Sequence, residues 1–246
     1  MELVNKRALV TGASRGLGRT LVFALANGGA REVFAGARDQ NDIESLKSEA
    51  STAGLPITPI KLDVTVSDDV IAAGRLAPID LLINNAGIAI FGSPLTIEFN
   101  AIEDEMAVNY FGALRMVRAF APAMIQQGSG MIVNVATAFA RMNLPIVANY
   151  CASKAALLSL GQALRAYLND FGVKVITVMP TTFDSDMSRG ADVPKMTKEF
   201  VAAGILAAIR DETYDPPIGD EAKIVFESLR KDPVGFEKML AQFKAI

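Results

Sequence analysis

Short runs of β-branched and aliphatic residues alternate along the chain with longer stretches in which apolar positions recur every three or four residues. The short runs, at 8–11, 32–36, 58–62, 81–84, 131–135 and 174–179, read as strands. The longer ones, at 16–27, 42–53, 68–74, 97–127, 149–170 and 197–210, read as helices. Strands that alternate with helices imply parallel pairing through helical crossovers. The expected fold is therefore α/β, a doubly wound parallel sheet of Rossmann type with helices on both faces. No repeat, low-complexity tract or Gly/Ser linker interrupts the pattern, so residues 1–246 are read as one domain.

Three stretches depart from that regularity. Residues 181–198 hold Gly190, Pro194, several charges and scattered Met and Phe without periodicity. They follow the carboxyl end of a strand, where such sheets bind ligands, and read either as a substrate lid or as an ordinary surface loop. Helix 149–170 carries alanines and leucines almost all the way round. One face suits the sheet; the other needs a second partner, either another subunit in a C2 dimer or D2 tetramer or the C-terminal segment of the same chain. Residues 221–231 and 234–243 read as short amphipathic helices within a C-terminal extension of about 219–246.

Hydrophobic residues make up 51% and charged ones 21% of the chain, the balance of a compact globule. A net charge of −3 without a basic run gives no bulk attraction to nucleic acid or an anionic membrane, and neither is an expected partner. Cys151 is the single cysteine, so no intramolecular disulfide is expected. Strand 8–11 begins too early to leave room for a signal peptide, and apolar runs such as 173–179 are too short to cross a bilayer. A cytoplasmic protein without a metal site is expected.

Chemistry concentrates in two places. Gly12, Ser14, Arg15, Gly16, Leu17 and Gly18 lie between the first strand and first helix. Glycines at that spacing permit a tight turn and close approach of a pyrophosphate to the helix amino terminus. At the end of the second strand stands Arg38, where an acid would bind an adenosine ribose diol and a cation would accept a 2′-phosphate. Arg38 with Arg15 favours NADP(H); the other reading gives the acidic role to Asp39. Farther along, Tyr150 and Lys154 fall one turn apart on one helix face. An ammonium beside a phenol favours the phenolate, so the tyrosine pKa is expected to fall toward neutrality, supplying an acid and base to a chain that has no histidine.

With these motifs in place, the chain resembles the short-chain dehydrogenase/reductase family over about residues 5 to 190. The resemblance implies a nicotinamide-dependent oxidoreductase that acts on a small-molecule carbonyl or alcohol. Asp63 and Val64 match the pair that touches adenine. Asn84, Asn85, Ala86 and Gly87 match the segment that steadies the sheet and lines the adenosine ribose. Tyr150 and Lys154 match the family's Tyr-x-x-x-Lys, and Asn109 matches the asparagine that holds a water and relays protons through the lysine. Thr137 stands where the family has serine; it keeps the hydroxyl but adds a methyl that restricts χ1 and takes pocket volume. Pro180 opens the lid, Phe183 offers its backbone to the nicotinamide carboxamide, and Ser185 replaces the usual threonine, while Thr181 stands where the family has glycine. Ile90, Phe91, Phe139, Met142, Leu144, Val147 and Met187 are expected at the substrate end and favour a fairly hydrophobic ketone or aldehyde.

Overall fold

The computed structural model describes residues 1–190 and 192–244; Ala191, within the expected lid, and residues 245–246, at the end of the expected extension, lie outside the described residues. Strands β1 (Arg7–Val10), β2 (Glu32–Ala37), β3 (Ile57–Lys61), β4 (Leu81–Asn84), β5 (Gly130–Val135) and β6 (Val173–Pro180) correspond to the six expected runs. A further strand, β7 (Pro217–Ile218), is too short to leave a periodic signal. All pair in parallel as a seven-stranded sheet in the order β3-β2-β1-β4-β5-β6-β7. Pro59 is tolerated inside β3 because that strand lies at the sheet edge.

The central strands are apolar throughout because they feed two cores. Val10, Ile83, Val133 and Val178 pack on one face with α1 (Gly16–Asn27), α2 (Gln40–Ala53) and α7 (Lys198–Asp211). Leu9, Leu82, Ile132 and Val175, their sequence neighbours or near neighbours, point to the other face, against α3 (Ser67–Gly74) and Met116, Phe120 and Met124 of α5 (Ala113–Gln127). This is the expected doubly wound arrangement.

The helix expected at 97–127 is not uniform. It comprises α4 (Phe99–Met106), a π-helical segment Ala107–Gly112 and then α5. The wider turn brings Gly112 so close to Val64 that a Cβ there would stand 2.6 Å from Val64 Cγ2. A π insertion re-aims the side chains it carries, and here it carries Asn109.

Helix α6 (Ala148–Leu168) runs beneath β6. The C-terminal helices α8 (Asp220–Lys231) and α9 (Pro233–Leu240) wrap the carboxyl-end side of the sheet. Phe226 packs on Ala136, Ala140, Leu157, Leu158 and Met179, and residues 241–243 reach the turn Pro145–Val147 ahead of α6. After β6 the chain is drawn together at Thr182, Asp184 and Met196: Met196 N donates to Thr182 O at 3.1 Å and Asp184 N to Met196 O at 2.8 Å.

Candidate active site

The strand order reverses between β1 and β4, which opens a crevice at their carboxyl ends. The glycine turn lies there. Gly12 has φ +65°, and a Cβ on it would stand 2.9 Å from Ala86 Cα. A Cβ on Gly18 would collide with the Gly12 carbonyl oxygen and come within 2.5 Å of Asn85 Nδ2. By contrast Gly16, at φ +54°, faces open space, and the α1 amino terminus has no side-chain cap, so its N–H groups are available to an anion. Asn85 fastens this turn to β4: its Nδ2 donates to Thr11 O at 3.0 Å and Gly12 O at 3.1 Å. Thr11 Oγ1 accepts from the Asn85 and Ala86 N–H groups, each at 3.0 Å. The bare, pre-shaped cradle fits a dinucleotide pyrophosphate. The Leu17 side chain packs in the core, which leaves its backbone for the crevice.

At the end of β2, Arg38 is exposed. Asp39 is engaged as the N-cap of α2, its carboxylate accepting from Asn41 N at 2.7 Å, which disfavours a ribose-binding role. Arg15 is exposed, and its Nε lies 2.9 Å from Asp186 Oδ2 in the loop after β6. Ser14 offers its carbonyl to Arg19 Nη1 at 3.0 Å. Burial pushes the Asp63 carboxyl up, but hydrogen bonds from the Thr65 hydroxyl and N–H, with Arg38 nearby, hold it below the usual range. Val64 is buried against Gly112, so only its backbone is left to meet an adenine.

Tyr150 and Lys154 lie on one face of α6 as their spacing requires, with the ammonium 5.8 Å from the phenol ring centroid. Their acidities are not those expected from the sequence. Burial pulls the Lys154 ammonium down to about 8, and burial, then Cys151 and Glu105, pushes the Tyr150 phenol above its usual value. Both groups lose water in their charged forms, which disfavours the ammonium and the phenolate alike. Lys154 Nζ instead donates to Val135 O at 2.9 Å.

Asn109 is also committed. Its Oδ1 accepts from Ile88 N at 2.9 Å, and its Nδ2 donates to Ile88 O and Ser153 Oγ, each at 2.9 Å. That side chain therefore laces the segment after β4, which limits the water-holding role expected of it. A Cβ on Gly87 would stand 3.1 Å from Asn109 Oδ1 and 3.2 Å from Lys154 Nζ, so both groups converge on this glycine. The Thr137 hydroxyl donates to Pro180 O at 3.0 Å and accepts from Phe139 N at 3.3 Å. Phe183 O accepts from Ser188 Oγ at 2.7 Å, and Ser185 is used in a reciprocal cap with Ser188.

Phe139, Leu144, Val147 and Met187 gather around Tyr150 as expected, joined by Ala89 and Ile146. Met142 is buried outside that cluster, and Phe91 is 54% exposed. The residue missed in the sequence is Glu105. It is fully buried one turn before Asn109, and burial pushes its carboxyl up. The signal was a lone acid on the apolar side of its helix.

Similarity to known proteins agrees with this geometry. The short chain dehydrogenase family profile matches residues 6–194. D-erythrulose reductase of Gallus gallus is 38% identical over 186 residues, covering 75% of this chain and 74% of that protein. L-xylulose reductase of Bos taurus is 33% identical over 193 residues, covering 78% and 77%. The crystal structure of a short chain dehydrogenase from Burkholderia cenocepacia in complex with NADP superposes with a TM-score of 0.90 at 37% identity, covering 98% of this chain and 99% of that one. The chain belongs to the short-chain dehydrogenase/reductase family of nicotinamide-dependent oxidoreductases.

Proposed function

We propose that this chain is an NADP(H)-dependent reductase that interconverts a fairly hydrophobic ketone or aldehyde and its alcohol. The observation that carries the reading is the Tyr150 hydroxyl, held on one helix face with Lys154 inside the apolar cluster of Ala89, Phe139, Leu144, Ile146 and Met187. The NADP preference is supported by exposed Arg38, by Asp39 being occupied as a helix cap, and by the NADP complex of the Burkholderia cenocepacia relative.

Bound NADPH supplies the hydride. Tyr150 donates its phenolic proton to the substrate oxygen as negative charge develops there. Lys154, with a pKa of about 8, is mostly cationic at pH 7 and stabilises the phenolate left behind. Thr137 turns its O–H from the Pro180 carbonyl toward the substrate oxygen and donates to it as charge develops. Asn109 holds the segment beside Lys154, and Gly87 has no Cβ to crowd the lysine Nζ. The lid residues 181–198, drawn together at Thr182 and Met196, exclude water from the apolar side.

A second reading, an NADP(H)-sensing binding protein with little turnover, is favoured by the Thr137 hydroxyl already being bonded to Pro180. Following NADPH absorbance over a carbonyl panel separates the two. The panel should span aryl and alkyl ketones, aldehydes, erythrulose and xylulose, because two relatives are named for those sugars. Turnover should be highest with the apolar ketones and aldehydes, NADPH should bind at least about tenfold more tightly than NADH, and Tyr150→Phe should lower kcat by about a thousandfold or more while sparing NADPH binding. Tighter NADH binding overturns the cofactor assignment, and near-normal turnover by Tyr150→Phe overturns the mechanism.

A further inference from the structure

The segment that follows β4 leaves the sheet, and no strand among the described residues pairs with it to receive its N–H groups. Three of them are held all the same. Ile88 N donates to Asn109 Oδ1 at 2.9 Å, Ile90 N to Glu105 Oε1 at 2.6 Å, and Gly92 N to Ile146 O at 2.9 Å. They fall at alternate residues, so they are three successive moorings of one segment. The outer two use Asn109 and the turn that leads into Tyr150. The middle one uses a carboxyl that is 0% exposed, whose second oxygen is buried without a hydrogen-bond partner among the described residues. A buried acid is costly, and an apolar side chain of the same volume would avoid that cost. Such a replacement would lack an acceptor for the Ile90 N–H.

We infer that Glu105 is a positioning residue for the reaction: it fixes residues 88–92 as the wall against which Tyr150 and the substrate carbonyl are aligned. Ala89 lies between the first two moorings and packs in the Tyr150 cluster. Releasing Ile90 lets Ala89 move away from the phenol, and loss of alignment at a reacting centre is paid in rate. The residue is buried and acts through the Ile90 N–H. Glutamine offers an oxygen at the same reach, whereas methionine fills similar space without a comparable acceptor.

The inference rests on the proposed reduction, and its test has an arm that does not. Amide exchange over residues 86–94, NADPH affinity, and kcat and KM for the best panel substrate are measured on the full chain and on Glu105→Gln and Glu105→Met. Glu105→Gln should keep exchange protection and stay within about threefold of wild-type kcat/KM. Glu105→Met should lose protection by about tenfold or more and lose about tenfold or more in kcat/KM, mostly in kcat, with NADPH affinity within about twofold. Wild-type protection and kinetics in Glu105→Met overturn the inference. If Glu105→Met does not fold, Glu105→Gln decides alone, and loss of both protection and rate in that variant overturns it. A wild-type chain that binds NADPH but reduces no carbonyl overturns the proposed function instead, and the exchange arm still decides whether Glu105 holds the wall.

Discussion

Lys154 occupies a position where a charge is costly and needed. Its pKa falls from 10.5 to about 8 because burial strips the ammonium of water. A lowered folded-state pKa means that the unfolded chain binds the proton more tightly, so this residue destabilises the fold below pH 8 and does so progressively less as pH rises toward 10.5. At about 1.4 kcal/mol per unit, and with the hydrogen bond to Val135 offsetting part of the penalty, Lys154→Met should stabilise the cofactor-free chain by about 1–3 kcal/mol at pH 7. The gain should shrink as pH approaches 10.5, and turnover should be lost at every pH. Thermal melts of both chains at pH 7 and pH 10 check this; equal melting temperatures at pH 7 refute it. The Tyr150–Lys154 spacing was legible in the sequence because it is a matter of helix geometry. Their acidities were not, because burial depends on distant segments, Ala89, Phe139 and Met187 around Tyr150 and Gly87 and Val135 around Lys154.

The elements show a similar division. The turn at Gly12–Gly18 was readable from glycine spacing, and the close contact of α1 with the turn gives it a measurable consequence. Gly18→Ala would drive a Cβ into the Gly12 carbonyl and against Asn85 Nδ2, forcing the helix away from β1 and β4. Overpacking of that kind costs about 1–3 kcal/mol. NADPH affinity should fall by about tenfold or more, as the helix amino terminus no longer meets the phosphates squarely. Calorimetric titration and a melt of the same variant test both halves; a variant with normal affinity and stability contradicts the close-packing account. The π segment Ala107–Gly112 was invisible in the sequence. Its apolar spacing reads as ordinary helix, and the insertion follows from the fit of Gly112 against Val64 and of Asn109 against Ile88, residues far away in the chain. Likewise β7 and the pairing of Met196 depend on distant partners, Met179 and Thr182 respectively.

For the molecule as a whole, both cores share one sheet, which supports reading the chain as one domain. The C-terminal helices settle on the turns 138–140 and 145–147 and do not cover the outer face of α6, where Ala152, Ser159, Ala163, Ala166 and Tyr167 are exposed. We propose that this face, together with Phe111 of the π segment, is where subunits meet, in a dimer or tetramer. Light scattering at micromolar concentration should give a dimer or tetramer mass, and Ala163→Glu should shift it to monomer. A wild-type monomer refutes the proposal. No helix among the described residues is long and apolar enough to cross a membrane.

What the sequence determined by itself is what neighbouring residues decide between them: the alternation of strand and helix, the glycine turn, the face shared by Tyr150 and Lys154, and the cation in place of an acid at Arg38. Tertiary structure alone decided which polar atoms are free to act. Arg15 pairs with Asp186, Asn109 with Ile88 and Ser153, Thr137 with Pro180, and Glu105 with Ile90. A hydrogen-bonding group takes the partner that folding brings to it, and burial then sets what any remaining charge costs. Neither quantity exists until distant segments have met.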